Sequence, residues 1–205
     1  MGKIIGVIGD NLADVVYTVA RVLANAEHSV IIVNPEYNPE TNYCIPTRDR
    51  KSKSCDVRGV SYIHQYEADL ETLKYEYVLV YLAGKKTKDF IAECDAFIVC
   101  TNLLPSNSLR CVQEKIKTDK PVFCFCRASE RFKRLAEKIF QSIIVTTAKM
   151  TIAYTATDYN KYTRNLMKLQ NDYEISLSSL NELKNAIYPL FSKECSMKQF
   201  KRLWK

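Results

Sequence analysis

The feature that most constrains this chain is a series of short, β-branched apolar runs that alternate with amphipathic segments. The first run, Lys3–Gly9, precedes a helical pattern that begins after Asn11 and ends near Ala26. A second run, Ser29–Val33, follows it. Strand, helix and strand within roughly 30 residues form a βαβ unit, whose two strands are parallel. Three later runs have the same character: Tyr75–Leu82, Ala96–Thr101 and Pro121–Cys126. The pattern predicts an α/β fold with one doubly wound, mainly parallel sheet and helices on both faces.

Weaker patterns lie between these runs. Val57–Ile63 is predicted as a weak strand and Ile143–Thr147 as a strand at the edge of the sheet. Helices are predicted over residues 87–94, 106–117, 129–140 and 178–191. No internal repeat or second domain is indicated. We therefore predict one domain over residues 1–196, followed by a basic amphipathic tail over residues 197–205.

The cysteines and the first residues indicate a cytoplasmic protein. All 8 cysteines are scattered without a short Cys-x2-Cys pair, and the chain does not begin with a signal-peptide pattern, so we expect free thiols. Cys44, Cys55 and His64 would be the alternative set of metal ligands, but their spacing does not suit zinc. We predict no metal and no cofactor.

The charge is concentrated in the second half of the chain. Residues 101–205 carry 19 Lys and Arg against 9 Asp and Glu, within a net charge of +7 for the whole chain. Such an asymmetry favours an acidic partner surface, either nucleic acid or anionic lipid, although a solvated basic face is the simpler alternative.

Four stretches of the chain follow one another in the order of a known family. Residues 3–24 are similar to a first strand, phosphate loop and first helix, and residues 30–36 to a strand that ends in an acidic motif. Residues 75–84 look like a strand with a Walker B aspartate, and residues 94–110 are similar to the next strand and helix. Together they resemble the MinD/ParA family of deviant-Walker P-loop ATPases. The resemblance implies a P-loop NTPase-like fold.

The phosphate loop departs from the family pattern where the chemistry lies. Such a loop needs glycines whose N–H groups face the phosphates, a lysine, and a hydroxyl that binds Mg²⁺. The resemblance places Asp10 at the family's signature lysine, Val15 at its second lysine and Val16 at the hydroxyl. An aspartate about 4 Å from a phosphate charge opposes it by about 1 to 4 kcal/mol. We therefore predict that nucleotide phosphates are rejected.

The other family positions have also lost their functional groups. The resemblance places Asn34 and Glu36 at the acidic motif, Tyr81 at the Walker B aspartate, and Cys126 near an adenine-reading asparagine. Phosphoryl transfer depends on positioning and charge neutralisation, so we predict a pseudo-ATPase that is not an enzyme. The degenerate nucleotide site comprises Gly9, Asp10, Asn11, Asp14, Val15, Val16, Asn34, Glu36 and Tyr81.

A Rossmann-like or flavodoxin-like domain without ATPase ancestry stays open. Gly6 and Gly9 precede the first predicted helix, as in a dinucleotide-binding fingerprint, but the third glycine is absent. A cofactor-binding enzyme is therefore the weaker alternative function.

Nucleic-acid binding is the stronger alternative. The predicted helix over residues 129–140 and Arg127, two residues before it, carry a basic cluster: Arg127, Arg131, Lys133, Arg134 and Lys138. Tyrosines alternate with basic residues between positions 149 and 173, a mixture that suits base stacking and phosphate contact. Since some ParA-type proteins hold DNA non-specifically through basic surfaces, the resemblance keeps a partition-type DNA-binding module open.

The tail has the pattern of an interfacial helix. Its apolar residues share one helical face and its cations occupy the rest: Met197, Phe200, Leu203 and Trp204 against Lys198, Lys201, Arg202 and Lys205. An aromatic face bordered by cations suits an anionic membrane surface. The tail also resembles the basic amphipathic segment with which MinD-type proteins reach the membrane. Packing of the same apolar face onto the domain is the alternative.

These patterns together predict a scaffold or localisation factor that binds a protein partner. We expect it in the cytoplasm, with the tail able to hold it on the inner face of the membrane. The resemblance implies dimerisation through the nucleotide face, so we expect a homodimer or a pairing with an active relative.

Overall fold

The computed structural model of the protein describes residues 2–9, 13–35, 54–57, 59–82, 90–101, 116–126, 132–148, 150–154 and 196–202. The strands, in chain order, are β1 (Lys3–Gly9), β2 (Val30–Asn34), β3 (Ser54–Val57), β4 (Val60–His64), β5 (Tyr77–Tyr81), β6 (Ala96–Thr101), β7 (Ile116–Thr118), β8 (Val122–Cys126), β9 (Ile144–Thr146) and β10 (Met150–Tyr154). The helices are α1 (Ala13–Asn25), α2 (Lys133–Ile143) and α3 (Met197–Arg202), with a 3-10 turn at Leu70–Thr72.

Eight strands form one sheet in the order β10-β8-β6-β1-β5-β2-β4-β3. Every neighbouring pair is parallel except the β3 and β4 hairpin. β5 lies between β1 and β2, because Lys3 and Val30 are both in register with Tyr77. The predicted α/β fold with a mainly parallel sheet is confirmed.

Each face of the sheet carries its own hydrophobic cluster, because successive side chains of a strand point to opposite faces. On one face, Ile5 and Val7 pack with the buried side of α1; we call this the α1-side cluster. On the other, Ile4 and Ile8 pack with Ala136, Phe140 and Ile143 of α2 in the α2-side cluster. Helices therefore cover both faces, as predicted.

Several weaker predictions are corrected by the structure. The strand predicted at Val57–Ile63 is a hairpin whose turn contains Gly59, at φ 80°. Ile144–Thr146 does not edge the main sheet: it pairs with β7 in a separate two-stranded sheet, and β10 is the edge strand. β7 lies where the end of the 106–117 helix was predicted. Residues 106–115 and the 178–191 helix lie outside the described residues.

Glu76 ties the amino ends of β2 and β5 together. Its Oε2 accepts a hydrogen bond from the Ser29 backbone N–H at 2.8 Å, and its Oε1 lies 3.3 Å from Nδ1 of His28. In return, the Glu76 N–H donates to Ser29 Oγ at 3.0 Å. The Ser29 N–H and then the His28 ring hold the pKa of Glu76 below its ordinary value of 4.5. The carboxylate is therefore favoured in the folded state.

Glu76 should make stability dependent on acid pH. Its lowered pKa means that the stabilisation is fully present above the ordinary carboxylate pKa and is lost as the pH falls through the folded-state pKa. We expect Glu76→Gln to lower the urea midpoint at about pH 7 and to have little effect at about pH 3. Equal losses at both pH values would contradict this assignment.

Candidate functional site

The sheet topology selects one position for a ligand site. In open parallel sheets, ligands bind at the carboxyl edge where neighbouring strands connect in opposite directions. After β1 the chain passes to β2 on one side of the sheet, and after β6 it passes to β8 on the other. β1 and β6 are neighbours, and Gly9 is in register with Cys100. The candidate site therefore lies at the carboxyl ends of β1 and β6.

Gly9 brings the β1 backbone very close to β6. It has φ 121°, and a Cβ atom built on it would lie 1.9 Å from the carbonyl oxygen of Cys100. Only glycine fits such an approach and such a backbone angle. Asp10 and Asn11, which follow it, lie outside the described residues.

The start of α1 contributes an apolar residue to the core. Asp14 and Val15 lie in the first turn of α1, and Val16 is only 2% exposed. Val16 belongs to the α1-side cluster, together with Val7 of β1. Val16 is thus part of the hydrophobic core.

Tyr81 occupies the same core from β5. It is the last residue of that strand, is in register with Val7, and is 2% exposed. It belongs to the α1-side cluster that contains Val16 and Cys100. A buried phenol is not a carboxylate ligand of the kind that Mg²⁺ coordination uses.

The end of β2 carries a neutral amide beside an imidazole. Asn34 is 1% exposed and is in register with His64, the last residue of β4. The His64 ring lies 6.2 Å from the ring of Tyr62, centroid to centroid. The last residue of β2 is therefore a buried, neutral amide, while Glu36 lies outside the described residues.

Two cysteines at this edge of the sheet are buried, as are two others farther from it. Cys100 and Cys126 end or nearly end β6 and β8, and both are inaccessible to solvent. Burial raises the pKa of Cys124, and burial with the nearby Glu93 and Asp95 raises the pKa of Cys94 to about 12. Thiolates are the reactive form, so these cysteines act as small apolar side chains.

The structure brings together some predicted site residues and adds others. Val16 and Tyr81 share the α1-side cluster, Gly9 ends the neighbouring strand β1, and Asn34 ends β2 in register with His64. The sequence did not indicate that Cys100 and His64 lie at this edge of the sheet. The only hint was that each lies at or near the end of a strand. Within the described part of the chain, no three His, Cys, Asp or Glu side chains are grouped to hold a metal.

The tail begins as a capped helix against the domain. The Ser196 N–H donates to Oε1 of Gln199 at 2.9 Å, and the Gln199 N–H donates to Ser196 Oγ at 3.4 Å, a capping box for α3. Met197 is partly buried against the α1-side cluster, whereas Lys198 and Arg202 are exposed. Phe200 and Lys201 lie on α3; Leu203 and Trp204 lie outside the described residues.

The predicted basic cluster is partly located by the structure. Lys133, Arg134 and Lys138 are exposed on α2, while Arg127 and Arg131 lie outside the described residues. Across the described ranges, no helix has the combination of length and apolar character that crossing a membrane requires.

Solved structures share this architecture. A ParA family ATPase from Chlorobium tepidum TLS superposes with a TM-score of 0.58 at 12% identity, over 91% of this chain and 98% of that chain. The MinD neighbour, from the MinC:MinD cell division protein complex of Aquifex aeolicus, gives a TM-score of 0.58 at 13% identity, over 95% and 98%. No model of a protein family matches the sequence, and no curated protein matches it. The chain therefore has the fold of the ParA and MinD ATPases.

Proposed function

We propose that this chain is a non-catalytic protein of MinD/ParA type that acts as a scaffold or localisation factor through a protein partner. The observation that carries the proposal is the burial of Tyr81 with Val16 in the α1-side cluster. The resemblance assigns to these two positions the Walker B carboxylate and the metal-binding hydroxyl. Apolar packing therefore fills the place where the family would hold Mg²⁺.

Charge at the start of α1 supports the same proposal. The resemblance puts Asp10 at a lysine position, and Asp14 lies in the first turn of α1. Catalysed phosphoryl transfer relies on Lys and Mg²⁺ to neutralise the charge that develops on the phosphates. The loop and the first turn of α1 carry carboxylates and lack these positive charges, so they repel the nucleotide phosphates that the family binds.

Protein partnering is supported by the fold neighbours. The MinD neighbour was solved in a complex with MinC, so a protein of this fold can present a stable surface to a different chain. Without a nucleotide to bridge two copies, association would be constitutive. We propose either a homodimer or a pairing with an active relative of the same fold.

The proposal predicts no measurable affinity for Mg-ATP by calorimetry at neutral pH, and no hydrolysis. The double variant Val15→Lys with Val16→Thr should not restore binding, because Tyr81 and Asp10 remain. A separate thermal scan of this variant would confirm that it is folded. Micromolar Mg-ATP binding by the wild-type chain would refute the non-catalytic assignment.

We propose that the tail also binds weakly to an anionic membrane surface. Each of Phe200, Leu203 and Trp204 could contribute about 1.5 to 3 kcal/mol on burial, and each cation about 1 kcal/mol near an anionic leaflet. Ordering the segment costs about 1 to 2 kcal/mol per residue, so a dimer should bind much better than a monomer. Met197 already contacts the domain, which leaves the later residues to reach the lipid.

We expect Trp204→Glu to abolish co-sedimentation with phosphatidylserine vesicles and to leave the melting temperature unchanged. The reason is that an interfacial tryptophan contributes to lipid binding and not to the folded core. A lowered melting temperature would instead place Trp204 in the core and remove the membrane proposal.

Nucleic-acid binding remains a second candidate, favoured by the exposed cations Lys133, Arg134 and Lys138 on one helix. Non-specific binding of this kind weakens steeply with salt because counterions are released. Duplex DNA bound more tightly than an acidic amphipathic peptide would favour this candidate over a protein partner.

A further inference from the structure

We propose that the outer side of α2, with the adjoining β7 and β9, is a docking surface for an acidic amphipathic segment of a protein partner. We call it the α2 surface and define it by Leu135, Val145, Arg134, Lys138 and Lys117. The inference rests on the proposed scaffold function and specifies the chemistry of the partner.

Exposed aliphatic side chains are the first observation. α2 is held on the sheet by the buried residues Ala136, Phe140 and Ile143, yet Leu135 is 47% exposed. Val145, just after the helix, is also 47% exposed, and Phe132 just before it is 40% exposed. Within the described ranges, these are the large hydrophobic residues with such exposure. Phe132 and Leu135 are three residues apart and therefore adjoin at the start of α2, and grouped exposed apolar residues mark interaction sites. Val145 lies past the other end of α2, opposite Lys117.

Unpaired cations are the second observation. Arg134 and Lys138 are exposed on α2, and Lys117 of β7 is exposed in strand register with Val145. The ion pair found among the described residues joins His28 to Glu76, on another part of the molecule. Positive charge at the α2 surface is therefore available to an external carboxylate.

The helical spacing places the two kinds of group together. Leu135 and Lys138 are three residues apart on α2, so they are neighbours on its surface. Arg134 and Lys138 are four residues apart and adjoin in the same way. A ligand that covers Leu135 therefore also meets both cations.

A protein segment fits this combination better than lipid or DNA does. A membrane-bound helix inserts its whole apolar face, but the apolar face of α2 is already used against the sheet. Phosphate contacts in DNA complexes use cations and polar groups, and exposed aliphatic side chains add nothing to them. An amphipathic segment that carries both carboxylates and apolar side chains satisfies both features of the surface.

The test uses the full chain and a labelled synthetic helical peptide that carries Leu on one face and Glu on the other. Binding is measured by fluorescence anisotropy. We expect the wild-type chain to bind it. The double variant Arg134→Glu with Lys138→Glu should weaken binding by at least about tenfold, and Leu135→Ser should weaken it by several fold. Lys74→Glu reverses an exposed lysine outside the surface and should leave the affinity unchanged beyond a small long-range effect. Each variant is checked by its melting temperature.

Several results would overturn the proposal. A matched peptide with Ser in place of Leu that binds equally well would show that charge alone is read. Duplex DNA or phosphatidylserine vesicles bound more tightly than the peptide, with the same loss in the Arg134 and Lys138 variant, would assign the surface to nucleic acid or membrane. The absence of any peptide binding would also overturn the proposal. Mg-ATP binding would refute the non-catalytic function alone, since that site lies at the carboxyl edge of the sheet.

Discussion

Tyr81→Asp, which puts a carboxylate where the resemblance places the Walker B aspartate, is expected to destabilise the protein strongly and not to create a metal site. The new carboxylate would be placed among Val7, Val16 and Cys100 of the α1-side cluster. Leaving a buried charge uncompensated costs about 3 to 5 kcal/mol, a large part of the 5 to 15 kcal/mol that stabilises a typical domain. The same burial would make the proposed loss of ATPase chemistry hard to reverse by a single substitution.

Tyr81→Phe is the matched control for this experiment. It keeps the ring and loses only the hydroxyl, so it should cost no more than about 1.5 kcal/mol, or somewhat more if a buried partner is left without its hydrogen bond. Urea unfolding followed by circular dichroism measures both variants. A Tyr81→Asp variant as stable as the wild type would show that Tyr81 is not a core residue. That result would contradict the argument against a metal site at this position.

Gly9→Ala is expected to lower the free energy of unfolding by about 3 kcal/mol or more. An alanine at φ 121° is strained, and its Cβ would lie 1.9 Å from the carbonyl oxygen of Cys100. Neither backbone can move without breaking the register between β1 and β6. The loss is measured as a shift of the urea midpoint.

Gly59→Ala separates the two contributions. Gly59 also has a positive φ, of 80°, but a Cβ there would meet only the Cβ of Ala24, at 3.7 Å. This variant should lose about 1 to 2 kcal/mol from the backbone conformation alone. Equal losses at Gly9 and Gly59 would show that the contact with Cys100 is not a tight one.

The strands that could be predicted are those whose own residues carry the signal. β1, β2, β5, β6 and β8 are continuous apolar runs rich in β-branched or aromatic residues, because both of their faces are buried. Their order in space could not be predicted, since pairing depends on residues far apart in the chain. Nothing near Lys3 or Val30 indicates that Tyr77 lies between them.

The missed strands are short and carry a mixed pattern. β7 has three residues, and the exposed Lys117 makes it compatible with the end of a helix. β9 was predicted as a strand, and only its place in the separate two-stranded sheet was missed. β10 lies in a stretch that is polar on its carboxyl side, and its strand character comes from pairing with β8. Backbone hydrogen bonds to a neighbour, and not intrinsic preference, determine these segments.

The resemblance assigned residues to the candidate site but did not give their environment. It assigned Val16 and Tyr81, and their shared burial depends on how α1 packs across β1 and β5. The neighbours of Gly9 and Asn34, namely Cys100 and His64, come from strand register across the sheet. Register is a long-range property that a single sequence does not display.

The place of β5 between β1 and β2 has a consequence for the folding pathway. β1 and β2 do not pair with each other, because β5 lies between them. The edges of β1 and β2 that bind β5 therefore stay without hydrogen-bond partners until Tyr77–Tyr81 has been synthesised. Such non-local closure slows folding and exposes unpaired edges to aggregation. During refolding, pulse-labelled amides of β1 and β2 should therefore gain protection together with those of β5, and not before them.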